Sequence, residues 1–163
     1  MNKAVFLDRD GVVNLEKGDY TYKAEDFIIN PGIIESIKLL RENGFIVIII
    51  TNQGGIAKNL YSDEDVFKTH KKLYDELKKE NTDINDIYYC PHHHDVSKCL
   101  CRKPESLMLE KAIAVYNIDT DKSFMFGDNE RDIKAAEKVN VKGILIAPNE
   151  NILKYCKQII NNE

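Results

Sequence analysis

No stretch of this chain stays apolar long enough to cross a bilayer. The longest run, Phe45 to Ile50, falls far short of the about 20 residues that a spanning helix needs. A secretion signal is not expected either, because the apolar run behind Met1-Asn2-Lys3 ends almost at once in Asp8-Arg9. There is no basic excess: 23 Lys and Arg stand against 27 Asp and Glu, for a net charge of −4. With no basic, aromatic-studded strip either, a nucleic-acid partner is not expected. Internal repeats, low-complexity tracts and linkers are missing, so the 163 residues read as a single domain, 1–163. Cysteines are few, four in all. A cytoplasmic address is expected by default, where thiols stay reduced and clustered ones read as metal ligands before disulfides. A monomer without membrane partners is expected.

What is present is a regular alternation. A short apolar run, Lys3 to Leu7, ends in Asp8-Arg9-Asp10-Gly11 and reads as a buried strand entering a loop. Pro31-Gly32 opens a helical pattern through Leu40, closed by Asn43-Gly44. Phe45 to Ile50 is uninterrupted and rich in β-branched residues, as expected for a parallel strand covered on both faces. Ser62-Asp63-Glu64-Asp65 reads as a helix cap with acids in the first turn, and Ile87 to Cys90 as a strand. A helix from about Pro104 to Tyr116, a strand Ser123–Phe126, a helix around Asp132 to Val139, a strand Val141–Ala147 and a terminal helix complete the chain. This pattern predicts an α/β fold: three layers, with a mainly parallel sheet between helices on both faces.

In such folds ligands bind at the carboxyl ends of the strands. Four polar clusters fall there: Asp8-Arg9-Asp10-Gly11, Thr51-Asn52-Gln53, the segment after Cys90, and Gly127-Asp128. While the chain stays extended, Asp8 and Asp10 point the same way, and two close carboxylates call for a cation between them. Taken alone, the same residues make a solvated turn about as readily. Thr51-Asn52 offers a hydroxyl and N–H groups to a phosphoryl oxygen. Arg102-Lys103 before a helix start is a further anion-binding arrangement. Asp128 adds a carboxylate suited to magnesium. Asp132 fits a metal ligand, a supporting partner or a plain early-helix acid.

Cys90-Pro91-His92 and Cys99-Leu100-Cys101 form a C-x-H…C-x-C pattern. Three thiolates and an imidazole make a closed tetrahedral Zn²⁺ set with a structural role. His92, His93 and His94 compete for the fourth position. Cys156 reads as a core residue.

The order Asp-x-Asp-Gly, Thr-Asn, Lys-Pro, Gly-Asp-x-x-x-Asp, running from Asp8 to Asp132, resembles the four signature motifs of the haloacid dehalogenase superfamily. The resemblance implies a Mg²⁺-dependent phosphatase. In it Asp8 is the nucleophile of a phospho-aspartyl intermediate and Asp10 the acid/base, while Thr51 and Lys103 hold phosphoryl oxygens. Asp8, the main-chain carbonyl of Asp10, and Asp128 hold Mg²⁺. The Cys-Pro-His…Cys-x-Cys-Arg-Lys-Pro run is similar to the branch that contains histidinol-phosphate and D-glycero-D-manno-heptose 1,7-bisphosphate phosphatases, which selects His92. Thr51 to Ala57, Ile87 to His93, and Asn14 followed by Gly18-Asp19-Tyr20 look more like the heptose side. Gly54, Asn129 and the short loop between His92 and Cys99 depart from it, so histidinol phosphate stands second. Asn52, Gln53, Gly54, Arg102, Asp19 and Tyr20 are the expected walls of a site for a small phosphorylated sugar. The intervals before Thr51 and before Lys103 leave no room for a large cap domain, so the mouth is expected to be open.

Overall fold

The structure is a computed structural model and describes residues 1–161. Its strands are β1 (Ala4–Leu7), β2 (Ile46–Asn52), β3 (Asp86–Cys90), β4 (Phe124–Gly127) and β5 (Lys142–Leu145). The helices between and after them are α1 (Ile33–Glu42), α2 (Asp63–Lys79), α3 (Leu107–Tyr116), α4 (Glu130–Glu137) and α5 (Leu153–Asn161). The sheet is parallel throughout, in the order β3-β2-β1-β4-β5.

Side chains alternate across a strand, so each central strand feeds two cores. Val5, Leu7, Val47, Ile49 and Phe126 meet α1, α2 and α5 through Ile33, Ile37, Leu40, Leu73, Leu77 and Ile159. Ala4, Phe6, Ile48, Ile50 and Met125 meet α3 and α4 through Met108, Leu109, Ala112, Ala135 and Ala136. The three layers are those the alternating pattern implied. Cys156 is buried in the first core, as expected. Each large apolar side chain so buried contributes about 1.5–3 kcal/mol. Among the described residues, the segments after β1 and β2 add only turns and bridges, so no cap covers the sheet. No helix among them is long and apolar enough to cross a membrane.

Two helix starts differ from the sequence expectation. α3 begins at Leu107 rather than near Pro104, because the Arg102–Glu105 segment forms a turn closed by Glu105 N–H donating to Arg102 O at 2.8 Å. The helix N-terminus therefore lies away from Lys103, and any anion there must be met by the lysine itself. α4 begins at Glu130 rather than at Asp132. Asn129 caps it, accepting from Arg131 N–H, while Asp132 accepts from Asn129 N–H, a capping box.

The chain builds β1, β2 and β3 outward in one direction, then returns to place β4 and β5 on the other side of β1. Loops leaving β1 and β4 diverge at that reversal and open a crevice at the strands' carboxyl ends. Asp8 and Asp128, each the first residue past its strand, stand at its two edges.

Candidate active site

β1 hands Asp8 to the crevice while its N–H still pairs with Phe126 O at 2.9 Å. The chain then turns sharply. The N–H groups of Val12, Val13 and Asn14 all donate to Arg9 O, at 3.3, 2.8 and 3.0 Å. Gly11 sits at φ +87°, and a Cβ there would fall 2.0 Å from Asp128 Oδ2. Only glycine lets this turn lie against Asp128.

Lys103 is the hub. Its ammonium lies 2.8 Å from Asp8 Oδ1 and 2.7 Å from Asp132 Oδ1, and donates to Ile50 O at 2.8 Å. Two carboxylates and a carbonyl surround the ammonium, in a pocket that leaves the residue 2% exposed. Asn52 fixes the lysine's backbone from β2, accepting from Lys103 N–H at 2.9 Å and donating to its carbonyl at 3.1 Å. Asn52 thus serves the placement of Lys103.

Asp8, Asp128 and Asp132 bring ligand-capable oxygens within 4.8 Å of one another. Three carboxylates facing one ammonium leave two negative charges uncompensated. Burial first, then Asp132, push the Asp8 carboxyl up to about 7 against the pull of Lys103. Burial and the same neighbour push Asp128 up to about 6. Lys103 stays cationic: burial alone would lower it, but Asp8 and Asp132 hold it above its ordinary value. A deficit of two charges amid hard oxygen donors fits a divalent cation such as Mg²⁺.

Asp10 belongs to a different set of partners. Its Oδ1 accepts from Arg9 Nη2 and Asn14 Nδ2, both at 2.9 Å, and its Oδ2 accepts from Gln53 Nε2 at 3.1 Å. The Arg9 guanidinium is fully buried and also donates to Thr21 O at 2.7 Å and Thr69 Oγ1 at 3.2 Å. Burial would raise the Asp10 carboxyl, but Arg9 and these hydrogen bonds hold it well below the usual range. Strand alternation implied that the two carboxylates share one cation. The turn at Arg9 ends the extended run, so the side chain of Asp8 faces Lys103 and that of Asp10 faces Arg9.

The remaining expected site residues surround this pair. Thr51 lies beside it, 1% exposed, its Oγ1 accepting from Gln53 Nε2 at 2.9 Å. Gln53 is itself 2% exposed, with both ends of its amide engaged inside the protein. At Gly54 a Cβ would lie 2.8 Å from both Arg102 Nη1 and His93 Cδ2, so the missing side chain admits Arg102 across the turn. Arg102 donates to His92 O at 3.2 Å and lines an open groove of about 820 Å³ with Lys98, Leu100, Lys103 and Arg131. Asp19 is exposed and accepts from Tyr20 N–H, while Tyr20 is half-buried, edge-on to Tyr61 at 5.7 Å.

The Cys/His loop closes on itself as its spacing implied. Cys90 Sγ lies 2.9 Å from Cys101 Sγ and 3.7 Å from Cys99 Sγ. His92 Nδ1 lies 3.2 Å from Cys101 Sγ and 3.6 Å from Cys90 Sγ. His93 and His94 stack on each other and face Asp95 instead. Burial and the neighbouring thiols hold the Cys90 thiol far above its usual range. Three soft sulfurs and one nitrogen converging on one point fit zinc, with no position left for substrate.

Sequence reading gave no role to Arg9 or Tyr61 and left that of Asp132 open. The signal for Arg9 lay in its position: two residues past Leu7, between two acids, it follows a strand buried on both faces. Asp132 closes the Gly-Asp-x-x-x-Asp pattern; the structure makes it the acid of a capping box with Asn129 and sets it against Lys103.

The HAD-hydrolase-like family matches residues 100–151. The chain is 37% identical over 147 residues to the D-glycero-beta-D-manno-heptose-1,7-bisphosphate 7-phosphatase of Haemophilus influenzae, covering 87% of this chain and 79% of that protein. It is 40% identical over 148 residues to the D-glycero-alpha-D-manno-heptose-1,7-bisphosphate 7-phosphatase of Campylobacter jejuni, covering 91% and 83%. The crystal structure of D,D-heptose 1,7-bisphosphate phosphatase from B. bronchiseptica, complexed with magnesium and phosphate, superposes with a TM-score of 0.93 at 26% identity over 99% of both chains.

Proposed function

The chain belongs to the haloacid dehalogenase-like phosphatases, hydrolases of phosphoric monoesters, and on that premise we propose that it releases the 7-phosphate of D-glycero-D-manno-heptose 1,7-bisphosphate through a phospho-aspartyl intermediate on Asp8. The observation that carries the reading is Asp8 held 2.8 Å from a buried lysine, with a second carboxylate two residues on under separate control. The relatives matched at 35–41% identity carry the heptose bisphosphate name in both anomeric forms.

An Asp8 oxygen attacks phosphorus as the bond to the sugar oxygen breaks, and protonated Asp10 delivers its proton to that oxygen. Water then attacks the phosphoryl group, giving a proton to Asp10, and the Asp8–phosphorus bond breaks. Asp10 is ionised in the arrangement seen here, the form required for this second step. Lys103 and the Thr51 hydroxyl hold phosphoryl oxygens, offsetting charge gathered in the transition state. Asp8, Asp128 and the main-chain carbonyl of Asp10 would hold Mg²⁺, which when bound supplies further positive charge at the transferring group. Arg102, beside Lys103 at the open groove, is placed to take the second phosphate or a hydroxyl.

The test is phosphate release from both anomers of the heptose bisphosphate and from histidinol phosphate, with Mg²⁺ present. At least a tenfold higher kcat/KM for one heptose anomer is expected, about 1.4 kcal/mol of transition-state binding. A tenfold preference for histidinol phosphate would overturn the substrate and leave the reaction standing.

Cys90, His92, Cys99 and Cys101 are assigned a structural Zn²⁺ that fixes the loop leading into Arg102-Lys103. The purified protein is expected to carry about one zinc per chain, the capacity of one four-ligand set. Cys99→Ser should lose it and lower the melting temperature. Elemental analysis without zinc, together with an unaltered Cys99→Ser melting curve, would remove this assignment.

A further inference from the structure

Gln53 and Tyr61 form a connected pair behind the reacting groups. The Gln53 amide nitrogen reaches Asp10 Oδ2 at 3.1 Å and Thr51 Oγ1 at 2.9 Å, while its oxygen accepts from the Tyr61 hydroxyl at 2.8 Å. An ionised carboxylate can only accept, so the NH₂ end must face Asp10 and the oxygen must face Tyr61. The phenol therefore donates. Burial foremost keeps it protonated, its pKa pushed up to about 12. Thr51 Oγ1 takes the second amide proton as an acceptor. Its own O–H is thereby left to donate, which a phosphoryl oxygen requires.

The Tyr61 ring is fixed from three sides. Tyr22 stacks on it at 5.1 Å and 7°, and Tyr20 meets it edge-on at 5.7 Å. On a third side Gly55 lies so close that a Cβ there would fall 2.1 Å from the ring's Cε1. With the residue 7% exposed, its hydroxyl cannot readily exchange Gln53 for water.

We propose that Tyr61, acting through the Gln53 amide, sets the direction of the Thr51 hydroxyl and of the Asp10 carboxylate, and is a positioning residue for phosphoryl transfer. Gln53 is then a relay between them rather than a wall of the substrate pocket. The packing of Tyr20 and Tyr22 on the same ring ties the loop at the mouth to that relay. Without the phenol the amide is free to rotate. Its oxygen can then face Asp10 and repel it, and Thr51 can spend its proton on the amide.

The proposal rests on the phosphatase reading, and its test separates the two. Steady-state rates are measured with a sugar phosphate and with p-nitrophenyl phosphate for wild type, Tyr61→Phe, Gln53→Met and the double variant, each with its melting temperature. Tyr61→Phe should lower kcat for the sugar phosphate about tenfold with little change in KM. The loss with p-nitrophenyl phosphate should be smaller, since that leaving group needs no proton from Asp10. In the Gln53→Met background Tyr61→Phe should add nothing further, because the phenol then has no amide to hold. A merely structural role would lower both substrates' rates alike, in step with the melting temperature. Wild-type kcat in Tyr61→Phe, or a full tenfold loss repeated in the Gln53→Met background, overturns the relay and leaves the phosphatase standing. A wild-type protein inactive on both substrates overturns the phosphatase reading, and the relay with it.

Discussion

Asp8→Asn is expected to abolish turnover, by about four orders of magnitude or more, an increase of roughly 5.5 kcal/mol in the barrier. An amide cannot form the phospho-aspartyl bond. The fold should survive, because the amide oxygen still accepts from Lys103 and the residue is nearly isosteric. Stability should move in an informative direction. Burial foremost raises the Asp8 carboxyl in the folded chain from 3.8 to about 7. A group whose folded pKa is raised contributes its stability below the unfolded value and loses it as pH climbs through the folded one. Asp8 therefore costs the protein stability between about pH 4 and pH 7, on the order of a few kcal/mol above that window. Without Mg²⁺, Asp8→Asn should melt higher than wild type at pH 8, and that margin should vanish near pH 4, where Asp8 is protonated in the folded chain. Added Mg²⁺ should stabilise wild type far more than the variant. Near-native phosphatase activity in folded Asp8→Asn would remove Asp8 from the nucleophile's role, and a lower melting point at pH 8 would contradict the charge balance described for the site.

Lys103→Met is the second large effect, and it falls on stability as well as rate. The ammonium offsets both Asp8 and Asp132 at 2.8 and 2.7 Å, and Asp132 is fully buried. Removing one partner from a buried ionic group costs about 3–5 kcal/mol, because the charge left behind has neither water nor counterion. For a domain of this size that corresponds to roughly 6–20 °C in melting temperature. Turnover should fall by about a hundred- to a thousandfold, as is typical when a fixed donor to developing transition-state charge is lost. Lys103→Arg should rescue neither property. The guanidinium is broader and cannot address three acceptors converging on one point in a pocket without solvent. Calorimetry and phosphate release measure both. A Lys103→Met protein with wild-type melting and rate would show that the ion pairs contribute nothing, and the hub assigned to Lys103 would fall.

Much of this was written along the chain. β1 and β2 were legible because strands covered on both faces show no polar interruption, and Val5, Leu7 and Phe6 divide between the two cores as alternation demands. Ser62 caps α2 as expected, accepting from Asp65 N–H. The Asp-x-Asp-Gly, Thr-Asn, Lys-Pro and Gly-Asp clusters could be assigned to one site since a parallel sheet sends every strand's carboxyl end to the same side. The C-x-H…C-x-C spacing singled out three cysteines and left three histidines open; the family resemblance selected His92, and the fold sets its Nδ1 3.2 Å from Cys101 Sγ.

What the sequence could not decide was which polar group answers which. Asp8 and Asp10 are two residues apart, and local periodicity gave them one common direction. The turn at Arg9 separated them, handing one to Lys103, 95 positions on, and the other to the guanidinium between them. Asn52 and Gln53 read as substrate contacts, and nothing along the chain told that their side chains bond the Lys103 backbone and the Asp10–Thr51–Tyr61 set. Asp132 fitted a metal ligand, a supporting partner or an early-helix acid until the fold placed it against the lysine. The chain by itself determined where the elements run and which residue types meet at the sheet's edge, because hydrophobic period and motif order are local properties. Only the tertiary structure decided the pairing of charges and the direction of each hydrogen bond, because those depend on distances between residues far apart in sequence and on water excluded from between them.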